Sequence, residues 1–165
     1  MICSILASTS LGGIGNRGTL PWPKHKEDLA WFKEHTTNQI VVMGRNTWED
    51  PQMPKPLPNR INYVVSSQHV AKEYQHLVRW IPSDVTGNIN QIQKENPKND
   101  VFIIGGQQLY ETTEPLIERV YLTRMKGGWF ADTRIDLERY LRCFRIYSVR
   151  PGNNCTYEIW NRVIF

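Results

Sequence analysis

The stretch VFIIGGQQLY, residues 101–110, carries the most structural information in this chain. Its apolar run of Val101, Phe102, Ile103 and Ile104 reads as a strand buried on both faces. Gly105 and Gly106 stop the strand at once, and Gln107 to Glu114 read as a helix over residues 107–114. A strand entering a helix through paired glycines is the joint of an α/β domain. Glycines also let a ligand approach the backbone, and the first N–H groups of the helix present a positive dipole end that suits a pyrophosphate. The plainer reading of the same residues is a tight turn. The spacing is not GxGxxG, so this is not the ordinary Rossmann fingerprint.

Working outward, the same alternation recurs. Residues 2–8 (ICSILAS), 39–44 (QIVVMG), 61–66 (INYVVS) and 77–81 (LVRWI) read as strands, and Asp28 to His35 and residues 84–95 read as helices. Residues 10–24 hold four Gly and two Pro and read as a loop. Pro51, Pro54, Pro56 and Pro58 forbid regular structure over residues 50–60. After the glycine pair come residues 119–125, 143–150 and 155–164, all β-rich. The turn between the last two is assigned to Pro151-Gly152-Asn153-Asn154. Strand–helix alternation followed by strands alone predicts a three-layer α/β/α domain with one mixed, mostly parallel central sheet and a C-terminal antiparallel hairpin. Residues 1–165 are expected to form a single domain, with no repeat or linker.

Composition narrows the function classes. Hydrophobic residues make up 40% and charged residues 22%, a soluble globular balance. The net charge of +4 is dispersed, with no basic run, and reads as a solvated face or as a weak field for anionic small molecules. A nucleic-acid stripe with interleaved aromatics is not seen. Cys3, Cys143 and Cys155 are odd in number and far apart, which argues against a disulfide framework or a metal site. The N-terminus lacks a signal-peptide pattern and no apolar run is long enough to span a membrane, so a cytoplasmic location is expected.

Two further segments carry chemistry. MGRNTW, residues 43–48, follows an apolar strand and offers a glycine, a guanidinium, an amide and a hydroxyl together. That set suits a phosphate, and Arg45 suits bidentate contact, although a capping Asn46 or Thr47 explains the pattern equally well. Asp28 stands where the loop becomes a helix, beside Trp22, Leu29, Trp31 and Phe32. It is either an acid favoured by the helix dipole or a carboxylate inside an apolar pocket. In the second case desolvation raises its pKa, and its two adjacent acceptors suit an amidine-like N–H pair such as a pterin edge.

The chain resembles the dihydrofolate reductase family over essentially its whole length. IGNRGTLPW (14–22), DLAWFK (28–33), MGRNTW (43–48), LPNR (57–60), IIGGQQLY (103–110), YLT (121–123) and Asp132-Thr133 occur in the family's order. The resemblance implies an NADPH-dependent reductase acting on dihydrofolate. Asp28 would hold the pteridine through N3 and the 2-amino group, and Trp22 beside it would order a water. Ile5, Ala7, Leu29, Phe32, Leu57 and Ile104 would line the apolar slot, and Thr123 would hydrogen-bond Asp28. Arg60 would grip the α-carboxylate of the glutamyl tail. Arg45, Ser66, Ser67 and Gln68 would meet the 2′-phosphate, and Gly44, Asn46 and Thr47 the pyrophosphate region. The cofactor would also touch Ala7, Ile14, Gly15, Leu20, Gly105, Gly106, Gln107, Gln108, Leu109 and Thr133. Tyr110 would lie near both the nicotinamide and the substrate, and the Gly105–Gly106 bond would be cis. No metal is implied, and a monomer open to diaminopyrimidine or pteridine antifolates is expected.

The chain departs from the commoner bacterial pattern at residues 49–56 (EDPQMPKP), which are longer and richer in proline, with Met53 the candidate to cap the p-aminobenzoyl pocket. Ala131 and Leu20 stand where Gly and Met are frequent. Two rival readings remain: a reductase of the same fold acting on a ribosylaminopyrimidine in flavin synthesis, and a non-catalytic nucleotide-binding or nucleic-acid-binding module. Asp28 and Arg60 speak against the first, and the dispersed charge against the second.

Overall fold

Side chains on successive residues of a strand point to opposite faces, so a strand apolar at every position must be covered on both sides. Residues 40–43 show this directly: Ile40 and Val42 enter one buried apolar cluster, and Val41 and Met43 enter the other. The same split divides Val101 and Ile103 from Phe102. In the computed structural model, which describes residues 1–164, the chain runs in this order. It begins with β1 (Ile2–Thr9), β2 (Gly13–Gly15), α1 (Lys26–Thr36), β3 (Ile40–Gly44), α2 (Arg45–Trp48) and β4 (Ile61–Val65). Next come β5 (Arg79–Ile81), α3 (Val85–Glu95), β6 (Val101–Ile103), α4 (Gln107–Thr113) and β7 (Arg119–Met125). It closes with β8 (Thr133–Arg134), α5 (Leu137–Tyr140), β9 (Phe144–Gly152) and β10 (Cys155–Arg162).

Eight strands form one sheet in the order β5-β4-β3-β6-β1-β7-β10-β9. All pairings from β5 to β7 are parallel, whereas β10 is antiparallel to both β7 and β9. Helix α1 covers one face through Trp31, and α3 and α4 cover the other through Ile89, Ile92, Leu109 and Tyr110. The three-layer mixed architecture expected from the sequence is therefore the one observed. The chain leaves β1 for β3 and later returns to insert β6 between them. Such a reversal opens a crevice at the carboxyl ends of the strands, where ligands of open α/β sheets bind.

Several boundaries differ from the sequence reading for local reasons. The loop over residues 10–24 contains β2, which pairs with β8 in a separate two-stranded sheet, and a bridge between Asn16 and Thr19. Gly-Ile-Gly carries no alternation to announce a strand. Leu77 and Val78 belong to a turn, and β5 begins at Arg79. The hairpin turn is Asn153-Asn154, because Gly152 still pairs with Cys155. Asn154 takes the left-handed conformation at φ 54. Pro151 is tolerated inside β9 because that strand is the sheet edge. Helix α4 stops at Thr113, with Glu114–Leu116 tightened into a 3-10 turn that contains Pro115. Helix α1 begins two residues before Asp28, capped by the His25 ring, which accepts from the Asp28 N–H. The short α2 and α5 have no periodic signature in the sequence, although Asp136 caps α5 through the Arg139 N–H.

Candidate active site

A cleft of about 1900 Å³ opens along the carboxyl ends of β1, β3, β6 and β7, between α1 on one side and α4 on the other. Its walls include Ile5, Ala7, Asp28, Leu29, Phe32, Leu57, Arg60, Ile104, Tyr110 and Thr123, all ten of the substrate residues read from the sequence. Leu29 is 43% exposed, so an apolar side chain on the helix faces the cleft instead of the core.

Asp28 lies in the first turn of α1 and is half-buried at the cleft wall. The Thr123 hydroxyl donates to its Oδ1 at 2.7 Å. Burial pushes the Asp28 carboxyl above the usual carboxylate range, partly opposed by the Thr123 bond and by His25. Both readings of this acid hold at once: it sits at a helix start and it is desolvated. Thr123 pairs in register with Ala7 of β1, so the donor and the small Ala7 side chain stand in one row of the sheet, and the acid reaches that row from α1.

Arg60 is set before any ligand arrives. Its Nε donates to the Pro58 carbonyl at 2.8 Å, its Nη1 to Thr36 Oγ1 at 3.0 Å, and its guanidinium lies 5.8 Å from the Phe32 ring centre. Burial pulls its pKa down from the ordinary arginine value, but from so high a start the group stays cationic.

The opposite end is built from glycine backbone and exposed polar groups. The Gly105–Gly106 bond is cis, and the Gly44 N–H donates to the Gly105 carbonyl at 2.7 Å. Gly105 has φ +125, and a Cβ there would meet Thr47 Oγ1 and the Tyr110 hydroxyl at 3.3 Å, so only glycine fits. No side chain caps the start of α4 behind Gly106. Tyr110 is buried, and its hydroxyl donates to the Ile5 carbonyl at 2.8 Å, tying α4 to β1. Farther out, Arg45 Nη1 donates to Gln68 Oε1 at 2.9 Å and to Ser66 Oγ at 3.4 Å, and the Gln68 N–H donates to Ser66 Oγ. Arg45 also pairs with Glu49 at 2.9 Å, a half-exposed contact that costs little to release.

The loop over residues 10–24 is clipped beside the cleft. Asp132 accepts from the Arg17 N–H at 2.9 Å, and its own N–H donates to the Gly15 carbonyl at 3.0 Å. The Arg17 N–H, together with the Thr133 hydroxyl, holds the Asp132 carboxyl below the ordinary carboxylate range.

Of the cofactor residues read from the sequence, Ala7, Ile14, Gly15, Leu20, Gly44, Arg45, Asn46 and Thr47 line the cleft, as do Gly105 to Tyr110 and Thr133. Ser66, Ser67 and Gln68 stand beyond its wall, with Ser66 and Gln68 joined to it through Arg45. Trp22 is 7% exposed and packs in the apolar cluster with Ile5, Trp31 and Leu57, not on the cleft wall. Sequence reading missed Lys24, Lys33, Val65, Val85 and Thr112, which also line the cleft. Lys33 had a signal, because it stands four residues after Leu29 on the same helix face. Val85 and Thr112 had none, since each enters from a helix that the sheet order alone brings to the rim.

Strand order and site together define the class of small α/β reductases that seat a flat heterocycle and a dinucleotide in one crevice. Comparison with known proteins supplies the family. The model of the family described as dihydrofolate reductase matches residues 1–155, and the chain belongs to the dihydrofolate reductase family. It is 31% identical over 163 residues to the dihydrofolate reductase type 9 of Escherichia coli, covering 94% of this chain and 90% of that one. It is 30% identical over 152 residues to the dihydrofolate reductase of Rattus norvegicus, covering 84% of this chain and 81% of that protein. Among solved structures it resembles dihydrofolate reductase from Enterococcus faecalis complexed with NADP(H) and RAB-propyl, with a TM-score of 0.80 and 27% identity, covering 98% of this chain and 96% of that one.

Proposed function

We propose that this chain reduces 7,8-dihydrofolate to tetrahydrofolate with NADPH, adding hydride at C6 and a proton at N5, and so serves one-carbon and thymidylate metabolism. The observation that carries the reading is the half-buried Asp28 carboxyl, held by Thr123 in a cleft whose far end offers the groups a phosphorylated dinucleotide needs. The relatives favour this reaction over the ribosylaminopyrimidine reductase and the non-catalytic module.

The residues fit NADPH. The glycine cradle admits close backbone contact, and Arg45 with Ser66 and Gln68 supplies donors where an extra phosphate distinguishes NADPH from NADH. Bound there, the cofactor supplies the hydride, and the protein supplies orientation and electrostatics. Asp28 accepts from N3 and the 2-amino group of the pterin. Ile5, Ala7, Leu29, Phe32, Leu57 and Ile104 grip the ring and the p-aminobenzoyl unit, with Met53 at the edge of that pocket. Arg60 takes the α-carboxylate as a charge-assisted pair. N5 must gain a proton, because hydride addition to a neutral C=N leaves negative charge on nitrogen. Asp28, engaged at N3, biases that protonation through its negative charge, and a water is the immediate donor. The loop over residues 10–24, clipped by Asp132, excludes bulk water.

Residues 1–165 act as one domain and as a monomer in the cytoplasm, and neither nucleic acid nor membrane is a partner. Among the described residues no helix is long and apolar enough to cross a membrane. The test is the fall in NADPH absorbance when dihydrofolate is added, with and without a diaminopyrimidine antifolate. The expected result is turnover that the antifolate abolishes. No oxidation of NADPH would overturn the reading.

A further inference from the structure

Two residues beside Asp28 make contacts that the reaction chemistry does not call for. Glu27 is an exposed residue at the start of α1, yet its Oε1 accepts from the Asn153 N–H at 3.0 Å and from the Tyr157 hydroxyl at 2.8 Å, with Cys155 Sγ at 4.0 Å. His25 takes the other side of the same residue, its Nε2 lying 2.6 Å from the Asn153 carbonyl. Its Nδ1 accepts from the Asp28 N–H at 3.0 Å, so Nε2 carries the proton and donates to that carbonyl. One residue of the β9–β10 turn is thus held at both of its peptide groups by the residues flanking Asp28.

The strand register closes the circuit. Tyr157 of β10 lies directly opposite Thr123 of β7. Directly opposed residues project from the same face of a sheet. Consecutive acids on α1 are therefore held by a cross-strand pair: Glu27 by Tyr157 and Asp28 by Thr123. The packing is close, since a Cβ on Gly152 would come within 2.5 Å of Glu27 Oε1. The Asn153 N–H and the Tyr157 hydroxyl hold the Glu27 carboxyl below the usual range, so it is ionised and makes charge-assisted bonds.

We propose that Glu27 and His25 are positioning residues for Asp28: by gripping Asn153 and Tyr157 they fix the first turn of α1 on the antiparallel end of the sheet, and so set where the Asp28 carboxyl stands against Thr123 and the pterin. This rests on the dihydrofolate reductase reading of the site. Neither residue lines the cleft. They act through the acid between the clamp and the cleft, and the contacts tie the hairpin at the far edge of the sheet to the substrate wall.

The test compares Glu27→Ala, Glu27→Gln and His25→Asn in the full chain. Glutamine keeps an acceptor oxygen for Asn153 and Tyr157, and asparagine keeps a cap for the Asp28 N–H while giving up the Asn153 carbonyl. Glu27→Ala is expected to raise KM for dihydrofolate about tenfold and to leave KM for NADPH within about twofold, because only part of the two charge-assisted bonds it loses is felt, and at one ligand. Glu27→Gln is expected to restore most of the affinity, and His25→Asn to fall between. The Asp28 carboxyl carbon, followed by NMR across pH, gives a reading that does not need turnover. The titratable and hydrogen-bonding groups facing Asp28 are His25 at the N-cap of α1, Glu27 from α1, Thr123 from β7, and Cys155 and Tyr157 from β10. Both Glu27 variants lack the charge, so a lower Asp28 midpoint in alanine than in glutamine reports water admitted by a broken clamp. Equal midpoints, or equal KM values for the alanine variant and the parent, would overturn the proposal, as would a drop in Tm with an unchanged pH profile. If the parent chain fails to oxidise NADPH with dihydrofolate, the reaction reading falls, and the two midpoints still decide the clamp.

Discussion

The two ends of the cleft follow opposite designs. At the substrate end one carboxyl is half-buried beside apolar side chains, and its side-chain donor, Thr123, comes from an interior strand of the sheet. At the cofactor end a half-exposed guanidinium shares its donors among Gln68, Ser66 and Glu49 on the rim. Burial makes the first end chemically selective, because desolvation tunes the proton affinity of one group. Exposure makes the second end a recruiter, because solvated charges attract an anion and release their partners cheaply. Chemistry and capture are thus separated along one groove.

Removing the acid tests this separation most severely. Asp28→Asn should fold and bind NADPH normally, yet lose about 10²- to 10⁴-fold in dihydrofolate turnover at neutral pH, the span expected for a group that governs proton transfer. Steady-state rates across pH, with NADPH affinity measured separately, check it. A near-normal rate would mean that the buried end holds no chemical role and that the contrast is only one of polarity.

Arg60 lies on the substrate side and is nonetheless a recruiter, so it sharpens the comparison. Arg60→Gln should raise KM for dihydrofolate by about 10- to 100-fold, in the range of a lost charged hydrogen-bonded pair, and should leave kcat nearly unchanged. A pterin without the glutamyl tail should feel no difference, and a loss with that substrate too would place Arg60 in the ring pocket instead. At the other end, Arg45→Gln should raise KM for NADPH by about tenfold and spare NADH, since the extra phosphate is what the guanidinium distinguishes. Equal losses for both cofactors would remove Arg45 from phosphate recognition.

The sequence made the two ends unequally legible. Continuous apolar runs such as residues 40–43 announced buried strands, and the glycine pair marked the crevice, because both signals are local. Asp28 was visible through its apolar neighbours. Burial, the Thr123 partner and the raised pKa depend on α1 lying against β7, a contact between residues 95 apart in the chain that spacing alone cannot supply. The resemblance to a known family named Thr123. Local periodicity did not. The Glu27–His25 clamp escaped for the same reason, since Asn153 and Tyr157 reach α1 only after the final hairpin has folded back. Short pieces failed differently: β2 and β8 hold each other through a few backbone bonds and have no apolar stripe to read.

The smallest effect concerns stability, where the two designs again part. The folded-state pKa of Asp28 lies above its ordinary value. Between those two values the folded chain keeps a proton that the unfolded chain has released. Stability therefore falls as pH rises through that window, and the loss persists above it. Asparagine has no such slope and still offers Thr123 an acceptor. Asp28→Asn should thus raise stability at neutral pH, by about 0.5–2 kcal/mol as for other single stabilising changes, and the gain should vanish in acid below the ordinary carboxylate range. Glu49→Gln at the cofactor rim removes a half-exposed partner of Arg45 and should shift stability by less than about 0.5 kcal/mol at any pH. Denaturant midpoints at neutral and acid pH decide both. A gain for Asp28→Asn that persists unchanged into acid would trace it to packing and not to the cost of holding a charge in the cleft wall.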